Sequence, residues 1–290
     1  MSTSDPATST DVALLDRPAR ISSRLLRSEL RLVFTRRRNL AILAVLACAP
    51  VLLGVAIKLG SRGGRGGGPA FIGQITQNGL FLAFTSLVVT LPLFLPLAVA
   101  VVAGESVAGE ASTGTLRSLL VVPVNRTRLL AIKLAGIVAY AAAAAMTVAA
   151  AGVLVGFVLF PTGPVTLLSG SVIPLGAALV RVVLVGLYVA AMLAAVAAIG
   201  LFVSTLTEVP LAAMATTAIV VVTVEILDAV PQIASIHPWL FTNWWLSFGD
   251  LLRDPVARDQ MAQGLLVDAG YVVVFGTLAW ARFTTRDITS

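Results

Sequence analysis

Residues able to do chemistry are few in this chain, and they gather in two places. The denser set lies between 104 and 135, GESVAGEASTGTLRSLLVVPVNRTRLLAIKLA. It holds the carboxylates Glu105 and Glu110, a Gly114-Thr115 pair, and the bases Arg117, Arg126, Arg128 and Lys133. The chemistry open to these groups is ion pairing: Glu105 and Glu110 can pair with Arg126, Arg128 or Lys133 and hold a hinge, although exposed pairs contribute only ~0–1 kcal/mol each. The sparser set is Arg181, Glu225, Asp228 and Asp268, charges set inside or beside long apolar runs.

Neither set has the makings of an active site. One histidine, His237, excludes His-rich metal centres and argues against a Ser-His-Asp hydrolase. One cysteine, Cys48, excludes an internal disulfide and a multi-cysteine metal site. The VLAC around it faintly resembles a lipoprotein cleavage site, but the apolar run continues well past it, and a plain buried thiol is the better reading. No G-x-x-x-x-G-K-[ST] occurs, so ATP hydrolysis is not expected on this chain. The glycine run GSRGGRGGGP at 60–69 lacks the Lys-Ser/Thr pair and reads as an external loop.

The elements that must position these groups are membrane helices. The chain is 58% hydrophobic and 12% charged, with mean hydropathy +0.97, whereas soluble chains carry about 25% charged residues. Backbone groups in lipid must be satisfied internally, and apolar runs of about 20 residues without alternation select helices over a barrel. Six spans are predicted, at 39–60, 78–103, 128–160, 175–206, 208–230 and 264–283. The fourth and fifth part only at STLTEVP, from Ser204 to Pro210. Eight arginines precede the first span, four bases lie in 104–135, and Arg282 and Arg286 close the chain; Arg62, Arg65, Arg253 and Arg258 lie on the other side. Fourteen bases against four put both termini in the cytoplasm, and the formal charge of +6 reflects topology rather than nucleic-acid binding. Asn125-Arg126-Thr127 then faces the cytoplasm, away from glycosylation.

Around the spans, residues 1–20 read as a disordered tail and 284–290 as a second cytoplasmic tail. Residues 21–38 form an amphipathic interfacial helix, with Leu26, Leu30, Val33 and Phe34 on one face and Arg24, Arg27, Arg31 and Arg38 on the other. Pro92 and Pro96 should bend the second span, and the alanine-rich third span should let backbones approach closely. The external loop 231–263 carries Trp239, Trp244 and Trp245 near His237 and Asp250, and reads either as an interfacial or re-entrant helix or as a packed lid. Within 104–135, Ser112 or Thr113 can cap a short helix with Leu116, Leu119 and Leu120 in one stripe, ended by Pro123. Its apolar stripe suits a groove on a soluble partner.

Here the sequence resembles the membrane subunits of ABC-2 type transporters. The pattern of an acid closing the second span, then Glu, Gly-Thr, an apolar run, Pro, a base and Lys is met by Glu105, Glu110, Gly114, Thr115, Leu116 to Val122, Pro123, Arg126 and Lys133. The amphipathic N-terminal helix, the six spans, the large last external loop and the ending Arg282-Phe283-x-x-Arg286-Asp287 extend it. The resemblance implies an all-α membrane protein with an N-terminal elbow helix and a cytoplasmic coupling helix at 112–123, in a bacterial cytoplasmic membrane. It implies two copies of a separate nucleotide-binding subunit carrying ATP and Mg, a second permease chain identical or sister to this one, contact with membrane lipids, and no cofactor on this chain. By the same resemblance the second and fifth spans line the path, making Thr85, Ser86, Thr90, Thr216, Thr217 and Thr223 candidate lining residues. Serine and threonine also bond their own helix carbonyls, which is the plainer role.

The implied function is ATP-driven export of a hydrophobic or amphiphilic compound, a drug or antibiotic first and a lipid next. Sodium efflux and export serving metalloenzyme maturation stay open. A different class, an ion-gradient-driven secondary transporter, would want carboxylates or broken helices at mid-membrane. On the sequence, Arg181, Glu225, Asp228 and Asp268 share one depth near the outer end, where Arg181 is expected to pair with an acid and close an outer gate, or where each charge simply reaches water.

Overall fold

The computed structural model describes residues 23–62, 75–112 and 126–285. The N-terminal tail, the body of the expected coupling helix with Gly114, Thr115, Leu116, Arg117, Leu119, Leu120 and Pro123, and Arg286 and Asp287 lie outside the described residues. Among the described residues the protein is all-α apart from one small ribbon, with six helices long and apolar enough to cross a membrane.

The first helix, α1 (Ser23–Thr35), packs on the later α5 through Val33 and Phe34, while Arg24, Arg27 and Arg31 stay exposed. It stops at Arg36, whose carbonyl accepts the amide of Leu40 and so starts α2 (Arg37–Arg62). Buried Asn39 bridges the break by donating to the Val33 carbonyl left free at the end of α1, and Tyr140 donates to the Asn39 carbonyl. These bonds join α1 to the bundle; farther along α2, Cys48 is exposed rather than buried as expected, because it lies on the outward face of the helix.

The predicted second span is two helices, α3 (Phe81–Thr90) and α4 (Phe94–Ser112). Pro92 lacks an amide and ends the first, while Pro96 falls in the first turn of the second, where a missing amide costs nothing. α4 runs to Ser112, nine residues beyond the expected 103, so Glu105 and Glu110 stand on a helix and not in a loop. The next helix, α5 (Arg126–Leu159), has 34 residues and reaches about 51 Å, more than the ~30 Å of the hydrocarbon core. Its alanines face the bundle as expected: Ala141, Ala144, Ala145 and Ala149 are buried, and Gly152 and Gly156 meet Ala83 and Gly79 backbone to backbone.

An antiparallel ribbon follows, β1 (Val165–Thr166) with β2 (Val172–Ile173), turned by Gly170 at φ +83°. The fourth span is bent at Leu193 into α6 (Leu175–Met192) and α7 (Ala194–Leu206). The break at Thr207 to Val209 is real, and Pro210 opens α8 (Pro210–Asp228) at the first helical position. Three 3₁₀ turns, Pro231–Ile233, His237–Trp239 and Thr242–Leu252, form a lid over α6 and the last helix, α9 (Asp259–Thr285). In a 3₁₀ helix residues three apart eclipse, and Thr242, Trp245, Phe248 and Leu251 make the buried row. Trp245 is thereby 1% exposed and packed inside the protein, whereas Trp239 is 73% exposed.

Burial separates centre from periphery. The most apolar window of α6–α7 is 72% buried, whereas those of α8 and α9 are each 17% buried, so α8 and α9 turn most of their apolar surface outward.

Candidate functional site

The largest cluster of polar side chains joins four helices at the end of the bundle where α1, α2, α4 and α5 meet. Lys133, about two turns into α5, is 1% exposed, and its Nζ lies 2.6 Å from Glu110 of α4 and 3.6 Å from Glu29 of α1. Gly136, one turn on, has no side chain, so the Glu29 stem can lie against α5. Beside this triad Arg36 reaches Glu105 at 2.6 Å, and Arg38 also bonds the Glu105 carboxylate. Three acids and three bases balance, and a cavity of about 20 Å³ lies beside them, lined by Glu29, Arg36, Asn39, Glu105 and Ser106 and closed by Leu32, Val33, Val102 and Ile137. That is room for about one water molecule.

The positions follow from local structure. Glu105 and Glu110 are on one helix because α4 continues past the expected boundary. The break at Arg36 turns α2 so that Arg36 and Arg38 reach Glu105. Hence Glu110 meets Lys133 as expected, whereas Glu105 takes two of the arginines that precede the first span. Arg126, expected at the hinge acids, donates instead to the carbonyls of Phe283 and Thr284, where the C-terminal end of α9 is negative. Trp280 of α9 reinforces that contact by donating to Thr127.

Ser204 was visible in the sequence only as part of a break. It is fully buried, donates to the Gly104 carbonyl and accepts from the amides of Val107 and Ala108, so it stitches α7 to α4 one turn from the ion pairs. A serine beside Thr205, Thr207 and Pro210 carried no signal that distinguished it.

Several expected path residues turn inward on their own helices. Thr85, Ser86, Thr90 and Thr217 donate to the carbonyls of Phe81, Leu82, Ser86 and Ala213, and Ser86, Thr90 and Thr217 are buried. Thr216 and Thr223 lie on the exposed side of α8.

At the opposite end the four gate residues do not converge. Arg181 donates to the carbonyls of Leu251 and Arg253 and pairs with no acid among the described residues; it anchors the lid. Asp268 is buried and accepts from the Ala195 amide, which the bend at Leu193 leaves outside the helical ladder. Ala195 is fourteen residues beyond Arg181, about 21 Å deeper, so the assumption of one shared depth is corrected. Glu225 and Asp228 stay together at the C-terminal end of α8, with Asp228 beside Thr242 and His237 of the lid.

Six apolar helices, lipid-facing surfaces on α2, α8 and α9, and ionic contacts confined to the helix ends define an all-α, multi-pass membrane protein. The chain belongs to the family described as "Protein of unknown function (DUF2705)", whose model matches residues 67–289. No curated protein matches it.

Proposed function

We propose that this chain is the membrane permease subunit of an ATP-driven exporter of the ABC-2 type, acting on a hydrophobic or amphiphilic compound and driven by a separate nucleotide-binding subunit. The observation that carries the reading is the buried Lys133 triad. A force applied to residues 113–125, between α4 and α5, would reach the bundle through the feet of those helices. Lys133 locks both feet to each other and to α1, so a push there moves three helices as one body. Glu105 and its two arginines extend the lock to α2. A lysine this well buried is costly unless paired, and an arrangement holding it between two acids is suited to keeping a lever stiff.

In this reading α1 is the elbow helix, 112–123 is the coupling helix, two copies of this chain or this chain and a sister form the path, and the nucleotide-binding subunits hold ATP and Mg. The substrate is drawn from apolar compounds because the uncovered helix faces carry hydroxyls only at Thr216 and Thr223 among the α8 candidates. The test is reconstitution with the ATPase that co-purifies. Scrambling 113–123 is expected to abolish ATP-dependent export while leaving the chain folded; wild-type export by the scrambled chain would end the proposal.

A second reading gains from one observation. Secondary transporters place carboxylates at broken helices inside the membrane, and Asp268 at the Leu193 bend is such a pairing. The same vesicles separate the two: export that survives ATP depletion and stops with a protonophore belongs to an ion-driven carrier, and the reverse belongs to the permease.

A further inference from the structure

We propose that the groove between the lid and α9 holds one acyl chain of a bilayer phospholipid, with the lipid's ester carbonyls at the Trp239 indole. The site rests on the protein's place in a membrane and not on the export reading. Trp239 of the lid and Leu266, Val267, Gly270 and Val274 of α9 line an apolar groove of about 440 Å³, completed by Tyr271 and Phe275. No charged side chain is among them. Leu266 is 73% exposed and Val274 52%, so the groove opens on the outward face of the bundle. Its aromatic wall is braced by the protein itself. The Tyr271 hydroxyl donates to the Trp239 carbonyl and ties the lid to α9. The Tyr271 ring meets Phe241 edge-on at 5.1 Å and stacks on Phe275 at 6.0 Å, and Phe275 meets Phe202 of α7 at 5.9 Å. Rings packed in this way cannot swing across to fill the space, so the groove is pre-formed.

Shape, direction and chemistry select a lipid chain over a second protein. Between Leu266 and Phe275 the helix rises about 14 Å, and a groove of about 440 Å³ spread over that length is about 6 Å across. A helix is about 10–12 Å wide and cannot enter it, whereas a single hydrocarbon chain can. Helices that pack together in lipid also favour small residues at the contact, and here Gly270 alone is small among aromatic and branched side chains. The groove follows α9, a helix able to cross a membrane, from the lid to just past its middle, and acyl chains run the same way beside a crossing helix. The lid joins the ends of two such helices, α8 and α9, which sets Trp239 where acyl chains give way to ester carbonyls. Trp244 Nε1 donates to the Pro238 carbonyl and Trp280 Nε1 to Thr127, but Trp239 Nε1 has no acceptor among the described residues. An indole N–H can only donate, and a lipid ester carbonyl is the acceptor that this level of a bilayer supplies.

The test uses the full chain purified in detergent without any ATPase, titrated with palmitoyl-oleoyl phosphatidylcholine, with retained lipid counted by native mass spectrometry. The wild type is expected to hold one phosphatidylcholine at least tenfold more tightly than the next. Gly270 opens onto space with no heavy atom within 4 Å, so Gly270→Leu fills the groove and should weaken that first lipid about tenfold. Gly276 is equally open but outside the groove, and Gly276→Leu should leave the first lipid unchanged. Trp239→Phe keeps an apolar ring, removes the N–H and should weaken the first lipid several-fold. An undiminished first lipid in Gly270→Leu, or no lipid held above the rest in the wild type, would overturn the site. A wild-type dimer that Gly270→Leu turns into monomer with lipid retention unchanged would also overturn it and give the groove to a second copy. Where a variant does not fold, the wild type decides: phosphatidylcholine brominated on its chain should quench tryptophan fluorescence to saturation at one lipid per chain, and quenching that rises without saturating overturns the site. Because no nucleotide or partner is present, this failure leaves the export reading standing, and loss of ATP coupling in vesicles leaves the site standing.

Discussion

Glu110 and Glu105 are five residues apart on one helix, yet they should respond very differently to the same change. Glu110→Gln leaves the buried Lys133 ammonium with Glu29 alone at 3.6 Å, and breaking a buried pair from one side costs on the order of 3 kcal/mol. Glu105 is 23% exposed and its arginine partners 35% and 42%, so Glu105→Gln should cost ~0–1 kcal/mol because water and salt screen the pair. Thermal unfolding of the two variants in nanodiscs reads the difference directly; equal shifts would show that Lys133 is not held as described. That Lys133 would be the buried partner was not legible in the sequence. Four bases flank two acids there, and composition does not say which one is turned inward.

Helix contacts in lipid depend on how closely backbones approach, and the closest approach here is between Gly79 and Gly156. A Cβ on Gly79 would sit 2.2 Å from the Gly156 carbonyl oxygen, and one on Gly156 would sit 2.0 Å from that of Gly79. Neither oxygen can yield, because Gly79 is also tied through its amide to the Pro161 carbonyl. Gly156→Ala should therefore separate α5 from the start of α3 and lower the yield of folded protein. Gly270 of α9 meets nothing within 4 Å, and Gly270→Ala should be neutral or stabilise by up to about 1 kcal/mol through helix propensity. Unfolding temperatures of the two variants check the contrast, and a destabilised Gly270→Ala would mean that α9 is covered there by something not present in one chain. The alanine-rich character of the third span pointed to close packing correctly. The particular pair did not follow from it, since Gly79 lies 77 residues from Gly156 and only the fold sets them opposite.

At the scale of the molecule, six crossings place Ser112 and Ser169 at opposite ends of the bundle, and the arginine excess assigns Ser112 to the inside. In a Cys48→Ala background, Ser169→Cys should react with a membrane-impermeant maleimide in intact cells, and Ser112→Cys only after the cells are opened. The opposite pattern would place the expected coupling segment where no cytoplasmic ATPase can touch it. The uneven burial of the helices belongs to this scale as well. With α8 and α9 mostly uncovered, lipid or another protein chain must occupy their outward faces, and Thr216 and Thr223 on α8 fit better against protein than against hydrocarbon.

Crossing number, helical character and the break at Thr207 to Pro210 could be read from the chain alone, because each depends on a contiguous run: about 20 apolar residues cross a bilayer whatever surrounds them, and a proline after hydroxyls and an acid suits the start of a new helix. Partner choice could not. Whether Glu105 meets Arg126 or Arg36, whether Arg181 meets an acid or a carbonyl, and whether Trp245 faces the head groups or the core all turn on helix rotation, depth and register. Those are settled by side chains packing across elements distant in sequence, and a bend such as that at Leu193, held open by Asp268 from another helix, exists only once the bundle has assembled.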